Sequence, residues 1–130
     1  MNPISKSLAA VAGVALAAMV AASSAQAHHS FAMFDRTKRV TLVGTVKAFQ
    51  WTNPHSWVQL NVPGAQSEVE EWSIEALSPN VLGRQGWKRN TLNPGDKVSV
   101  VINPLRDGSK GGNLIAVTLP SGETLGGGAG

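Results

Sequence analysis

The residues of this 130-residue chain with the most obvious coordination chemistry are its three histidines, His28, His29 and His55. The triplet Ala25-Gln26-Ala27 precedes the first two, and small-x-small is the pattern that signal peptidase cleaves. Cleavage there would leave His28 as the first residue, with a free α-amine. An α-amine and an imidazole can both be deprotonated near neutral pH. Together they chelate a metal ion through a six-membered ring.

Copper is the metal that this arrangement favours. Nitrogen ligands in a square-planar or tetragonal set suit Cu(II) above other common divalent ions. We expect His28 to act with His29 or His55, which would supply a further nitrogen. The terminal motif that needs His at mature position three is absent, because Ser30 stands there. The alternative interpretation is a solvated terminus whose histidines merely follow a cleavage site.

A second candidate site surrounds the turn that Asn53-Pro54 signals. In the flanking segments polar and apolar residues alternate, which predicts two strands with one outer face. The residues on that face would be Trp57, Gln59, Asn61, Glu71, Ser73 and Glu75. An aromatic ring beside amide and carboxylate groups commonly holds sugars, cations or peptides. The predicted ligand-binding residues are Trp51, His55, Trp57, Gln59, Glu71 and Glu75.

A structural role for the same turn is the alternative. Trp57 would then cover one end of the fold or pack under residues 31–34, and His55 would bond its own backbone. Trp72 and Trp87 fall on apolar faces and are predicted to be core residues. Asp107 is predicted to serve a turn by accepting backbone hydrogen bonds.

Catalysis has little support, and we predict a non-enzymatic protein. The chain has no Gly-x-Ser-x-Gly elbow, no His-Glu-x-x-His pair and no phosphate-binding glycine loop. Glu71 and Glu75 would lie roughly 13 Å apart, at about 3.3 Å per residue of strand. That exceeds the roughly 5–9.5 Å of a paired acid–base dyad. Cysteine is absent, which excludes disulfides, thiolate metal sites and cysteine nucleophiles. A hydrolase of cell-envelope material remains a third alternative.

The charge distribution argues against a nucleic-acid partner. Without Lys6, ten basic residues face eight acidic ones, and no run of Lys or Arg exceeds two. A nucleic-acid site usually needs a concentrated basic surface. Outward-facing Glu71 and Glu75 would also repel phosphate. The predicted partner is an unknown small ligand or a component of the cell envelope.

The N-terminal segment predicts export. Residues 1–27 read as a signal peptide, with Lys6 before an apolar stretch from Leu8 to about Ala22. That stretch is shorter than the roughly 20 residues that span a bilayer. We therefore expect cleavage between Ala27 and His28, a periplasmic or secreted protein and no transmembrane anchor afterwards. An uncleaved anchor is the alternative.

The remainder predicts one mostly β domain over residues 28–125 and a disordered Gly-rich tail over 126–130. Strands are predicted at 40–51, 56–62, 69–76, 97–103 and 113–119, with a short helix that Ser78-Pro79 opens. Residues 106–112 are predicted to be a flexible hairpin loop, and Ile115, Val117 and Leu119 to be buried. This order predicts an OB-fold-like, five-stranded Greek-key barrel with one helix between strands three and four. A β-sandwich is the main alternative.

The chain also resembles a family of small exported bacterial proteins of unknown function. The resemblance covers roughly residues 28–125. It rests on these segments: His28-His29-Ser30-Phe31, Gly44-Thr45-Val46, Trp51-Thr52-Asn53-Pro54-His55, Ser78-Pro79, Gly86-Trp87, Pro94-Gly95-Asp96 and Arg106-Asp107-Gly108. It implies no established activity for this chain.

Overall fold

The computed structural model describes residues 32–127. The predicted signal peptide and the two histidines that follow it lie outside the described residues. The chain divides into two compact units, Met1–Met33 and Phe34–Gly130. All elements described below belong to the second unit.

Six strands and one short helix follow one another in this unit. They are β1 (Val40–Gln50), β2 (Trp57–Pro63), β3 (Val69–Glu75), α1 (Pro79–Arg84), β4 (Lys97–Pro104), β5 (Gly111–Thr118) and β6 (Thr124–Gly126). The first five strands and the helix match the predicted order. The sixth strand pairs with β5 in a small terminal hairpin.

The first five strands close on themselves. β1 pairs with both β2 and β4, β2 pairs with β3, and β4 pairs with β5, all antiparallel. A parallel pairing of β3 with β5 completes the ring. The resulting order is β1-β2-β3-β5-β4-β1, with α1 between the third and fourth strands, so the OB-fold-like barrel predicted from the sequence is confirmed.

A long, bent β1 lets one strand serve both sides of the barrel. Its first half pairs with β4, and its second half pairs with β2. Gly44 lies within β1, and a Cβ there would collide with the carbonyl oxygen of Asn61 on β2. The bulge itself lies slightly later, between Val46 and Ala48. Glycine therefore permits the close approach, and the bulge supplies the bend.

The start of β5 corrects one sequence-based prediction. Gly111 and Gly112, assigned to a flexible loop, are buried and open the strand. A Cβ on Gly111 would lie 2.9 Å from the carbonyl oxygen of Ser73, and one on Gly112 would lie 2.6 Å from that of Asn103. The two glycines therefore allow neighbouring backbones to approach more closely than any side chain would.

The buried face of β5 also differs from the prediction. Leu114 and Val117 are fully buried, whereas Ile115 and Leu119 are only partly buried. The register between β4 and β5 shifts between Val101 and Ile102. That irregularity puts one extra residue into β5 and interrupts the simple alternation that the sequence suggested.

Helix α1 forms as its sequence predicts. The Ser78 side chain accepts a hydrogen bond from the backbone N–H of Val81, and Pro79 occupies the first turn. Leu82 is completely buried. Through this one apolar side chain, the helix packs against the core of the barrel.

The core fills the barrel with aliphatic side chains from every strand of the ring, among them Leu60, Ile74, Val100 and Leu114. Trp87 is 2% exposed, as predicted, and its indole N–H donates to the carbonyl oxygen of Gly126 at 2.7 Å. Trp72 packs against the core and is partly buried. No described helix is long and apolar enough to cross a membrane.

The end of the chain departs from the predicted tail. Gly126 is the last residue of β6, and the Gly127 N–H donates to the carbonyl oxygen of Ile115 at 3.0 Å. Both residues were predicted to be disordered. They belong to the sheet because Trp87 and β5 supply partners for their backbone, which the glycine-rich composition could not reveal.

Adding a methyl group to each of two glycines should change the stability in opposite directions. Gly112→Ala should lower the free energy of unfolding by about 1–3 kcal/mol, because the new Cβ has to displace the backbone of β4. Gly83→Ala in α1 meets no atom within 4 Å and should raise it by up to about 1 kcal/mol through helix propensity. Urea denaturation measures both. A Gly112→Ala variant as stable as the parent would contradict the proposed need for close approach.

Candidate functional site

The outer face of the barrel carries a row of four side chains from four different strands. Gln50 on β1 pairs with Trp57 on β2, Trp57 pairs with Glu75 on β3, and Glu75 pairs with Asn113 on β5. Directly paired residues project to the same side of a sheet. The row therefore presents an amide, an indole, a carboxylate and a second amide side by side.

A second row lies next to the first. Gln59 and Ser73 form its centre, and the Gln59 amide donates to the Ser73 hydroxyl at 3.2 Å. Ala48 and Gly111 flank them on β1 and β5. Because these two flanking residues are small, the second row has little side-chain bulk at its ends.

The third row is charged. Asn61 pairs with Glu71, and the Glu71 carboxylate accepts a hydrogen bond from the ammonium of Lys47 at 2.8 Å. Both members of this ion pair are about half exposed. We call the three rows together the outer face, defined by Gln50, Trp57, Glu75, Asn113, Gln59, Ser73, Asn61 and Glu71.

His55 reaches the first row from the turn before β2. The Ser56 N–H donates to the Leu77 carbonyl, and the Ala76 N–H donates to the Ser56 carbonyl, which extends the β2–β3 ladder beyond Trp57. His55 therefore lies diagonally across from Glu75, and its Nδ1 is 2.8 Å from a Glu75 carboxylate oxygen. The Thr52 hydroxyl donates to the His55 carbonyl at 2.8 Å, which closes the turn.

Glu75 is the most constrained group of the site. It was predicted to point outward, and it does, but only 9% of the residue is exposed. Burial raises the pKa of the Glu75 carboxyl, and the neighbouring His55 partly opposes that rise. The carboxylate is costly to bury alone, so the imidazole is its compensating partner.

Trp57 differs from Trp72 and Trp87 in the bonding of its indole N–H. The indole N–H groups of Trp72 and Trp87 donate to Glu70 and Gly126, respectively. Within residues 32–127, the indole N–H of Trp57 has no such partner, and it is not among the buried unsatisfied atoms. Trp57 thus offers both a partly exposed ring and an unused donor.

The structure does not bring Trp51 into this group. Its ring packs against the core and meets Phe49 edge-on, with 5.7 Å between the ring centroids. Phe49 is paired with the buried Val58, so this side of β1 faces inward. Of the six predicted ligand-binding residues, the other five gather on or beside the outer face.

Sequence reasoning missed two residues of the first row and one contact between side chains. Gln50 and Asn113 complete the first row, and the direct contact between His55 and Glu75 joins the turn to β3. Alternation along β1 could have indicated Gln50. No local pattern indicates Asn113, because its neighbourhood depends on a parallel pairing between strands far apart in the sequence.

A family model matches the chain over residues 15–114. The chain belongs to the DUF6152 family, described as a family of unknown function. This agrees with the resemblance to a family of unknown function noted from the sequence. No curated protein matches the chain significantly.

Crystal structures of a yeast protein, Rim1, align with this chain at low sequence identity. Rim1, the mitochondrial single-stranded DNA-binding protein of S. cerevisiae, aligns in its second form with a TM-score of 0.46 and 13% identity, covering 64% of this chain and 94% of Rim1. Its first form gives 0.46 and 10%, covering 64% and 92%. The DNA that Rim1 binds is not transferred to this DUF6152 member, so the absence of a nucleic-acid partner stays a prediction.

The metal hypothesis has only one of its ligands within the described residues. His28 and His29 lie outside them, and residues 32–127 contain no cluster of three His, Cys, Asp or Glu side chains that could hold a metal ion. The Nδ1 atom of His55 contacts Glu75, so Nε2 is the imidazole nitrogen that remains to coordinate a metal ion. A carboxylate behind a metal-binding imidazole is a common supporting arrangement.

Ser56 does not form a catalytic triad with the neighbouring histidine and carboxylate. The residue is completely buried, and its hydroxyl has no hydrogen-bond partner within residues 32–127. Alternation along the strand points it inward with Val58, on the opposite side from His55 and Trp57. It is therefore a core residue.

Replacing His55 by Ala is expected to raise the pKa of Glu75 further, because His55 is the group that opposes the effect of burial. A carboxyl with a raised folded-state pKa favours folding at low pH and loses that contribution as the pH rises through the folded-state value. The variant should therefore lose more stability than the parent between acidic and neutral pH.

The pKa is measured from the pH dependence of the Glu75 carboxyl ¹³C chemical shift, and stability from denaturation at several pH values. Lys47→Ala is the control, since it removes a cation paired with Glu71 instead. An unchanged Glu75 titration in His55→Ala would show that the contact is not electrostatically significant.

Proposed function

We propose that this protein is an exported, non-enzymatic binding module that holds a component of the cell envelope on its outer face. The observation that carries the proposal is the position of Trp57, a partly exposed ring with an unused indole N–H. Amide and carboxylate side chains border it on both sides in the first row. Aromatic surfaces with a few fixed polar groups are the usual make-up of small-ligand sites.

Export supports the choice of ligand. A protein that loses a leader at Ala27 would work beyond the cytoplasmic membrane, where soluble metabolites are dilute and envelope polymers are abundant. Mass spectrometry of protein recovered from the periplasm or medium tests this step. The expected mature chain begins at His28, and recovery of the intact chain only from the cytoplasm would contradict export.

Binding is tested by NMR on protein labelled with ¹⁵N at the tryptophan indoles, which gives one signal for each of the four tryptophans. The probes are soluble peptidoglycan fragments released by muramidase and the oligosaccharide released from lipopolysaccharide. We expect the Trp57 indole signal to shift with at least one of them, while the buried Trp87 signal stays in place.

Two variants make the binding test specific. Trp57→Phe lacks the reporting indole, so its binding is followed by calorimetry; it should abolish binding, because it removes the indole N–H and part of the ring. Trp72→Phe is the matched control, since Trp72 packs against the core and its N–H already donates to Glu70. A parent protein whose Trp57 signal is unmoved by every probe would contradict the proposed binding face.

Copper handling is the second candidate function. It rests on the fixed orientation of His55, whose Nδ1 is directed at Glu75 while Nε2 remains for coordination. The proposed ligands are the His28 α-amine and imidazole, joined by His29 or His55. These nitrogens become available together only when the leader is removed.

Cu(II) titration of two proteins tests this candidate, one beginning at His28 and one carrying a single extra residue before it. The first should bind Cu(II) at least about tenfold more tightly. His55→Ala in the first protein then distinguishes His55 from His29 as the further ligand. Equal affinities for the two starting proteins, or no binding in either, would exclude the terminal chelate.

A further inference from the structure

The charged groups of the outer face already have partners within the chain. Lys47 binds Glu71 at 2.8 Å, and His55 lies 2.8 Å from Glu75. A charged ligand would therefore have to compete with an existing ion pair.

Such competition is unfavourable for ligands of either sign. An anion would have to share Lys47 with the Glu71 carboxylate, which Lys47 already contacts directly. A cation would need Glu75, whose side chain is only 11% exposed, to release His55. Removing one partner from a mostly buried ion pair leaves an uncompensated charge, which is a large cost.

The uncharged groups of the face are in the opposite situation. Within the described residues, no side-chain hydrogen bond occupies the indole N–H of Trp57 or the amides of Gln50, Asn61 and Asn113. Gln50, Trp57 and Asn113 lie in the first row. Gln50 and Trp57 are on neighbouring strands, and Asn113 is at the far end of the row. Their unused donors and acceptors can be satisfied by a ligand without breaking any internal contact.

We infer that the ligand is an uncharged glycan carrying hydroxyl and acetamido groups. The inference rests on the proposed binding function and specifies its ligand. One sugar ring would stack on Trp57, and the amides of Gln50 and Asn113 would pair with its hydroxyl or acetamido groups. Side-chain amides suit such partners because each both donates and accepts.

The small residues of the second row define where the glycan continues. Ala48 and Gly111 flank the Gln59–Ser73 pair, so a sugar ring extending from Trp57 would meet little side-chain bulk there. Asn61 in the third row lies beyond, at a distance of about two residues of strand from Gln59, or roughly 7 Å. A disaccharide is thus the smallest ligand that would contact more than one row.

Three disaccharides of similar size and different charge test the inference. They are N,N′-diacetylchitobiose, which is neutral, its deacetylated form chitobiose, which is cationic, and digalacturonate, which is anionic. The Trp57 indole signal reports binding. We expect the neutral disaccharide to bind at least about tenfold more tightly than either charged one, with an affinity independent of salt.

Variants assign the interaction to the face. Asn113→Ala should weaken binding of diacetylchitobiose several-fold without changing the thermal midpoint, because its amide has no internal partner to lose. Trp57→Phe, whose binding is followed by calorimetry because it lacks the reporting indole, should weaken it further, and Trp72→Phe should have no effect. The comparison requires that all these variants are folded to the same extent, as judged by their NMR spectra.

The possible results distinguish a failure of this inference from a failure of the proposed binding function. Preferred binding of chitobiose or digalacturonate would overturn it, because a charged ligand would then have displaced an internal ion pair. A Trp57 response to peptidoglycan fragments with none to diacetylchitobiose would also overturn it while leaving the binding module intact. No response to any probe would remove both.

Discussion

The close contact between β3 and β5 is the constraint on which the rest of the barrel depends. Two strands that are distant in sequence pair in parallel over only three residues of each, Ser73 to Glu75 and Gly111 to Asn113. The backbones come together because Gly111 has no side chain to hold β5 away from the Ser73 carbonyl, while Gly112 allows a similar close approach to Asn103 of β4. Without this contact the sheet would remain open between β3 and β5, and the buried face of Ile74 would be exposed there.

Closure also creates the environment of Glu75. The carboxyl lies at the end of the parallel contact, beside Asn113, and is therefore buried although it projects from the outer side of the sheet. Its burial explains both the raised pKa and the need for His55 as a partner. This 2.8 Å contact and the Thr52 hydroxyl hold the turn before β2 in place, so the pairing of β3 with β5 also affects the shape of the turn.

The chemistry of the outer face follows from how its charges are used. The charged side chains of the face contact one another, Lys47 with Glu71 and His55 with Glu75. The amides and the Trp57 indole keep their hydrogen-bonding capacity. We propose that a surface of this kind discriminates against ions and accepts uncharged polar molecules. This is the physical basis for proposing a binding module of the cell envelope in a family of unknown function.

The amino-acid sequence by itself determined the strand order, the helix with its Ser78 cap, and the side of β2 and β3 on which each residue lies. These features depend on alternation, capping and turn residues, which are properties of neighbouring positions. The tertiary structure decided that Gly111 and Gly112 belong to a strand, that Leu114 replaces Ile115 in the core, and that His55 contacts Glu75 next to Asn113. Those outcomes depend on the register between β5 and its two neighbours, and no local pattern encodes a register set by backbone contacts between distant segments.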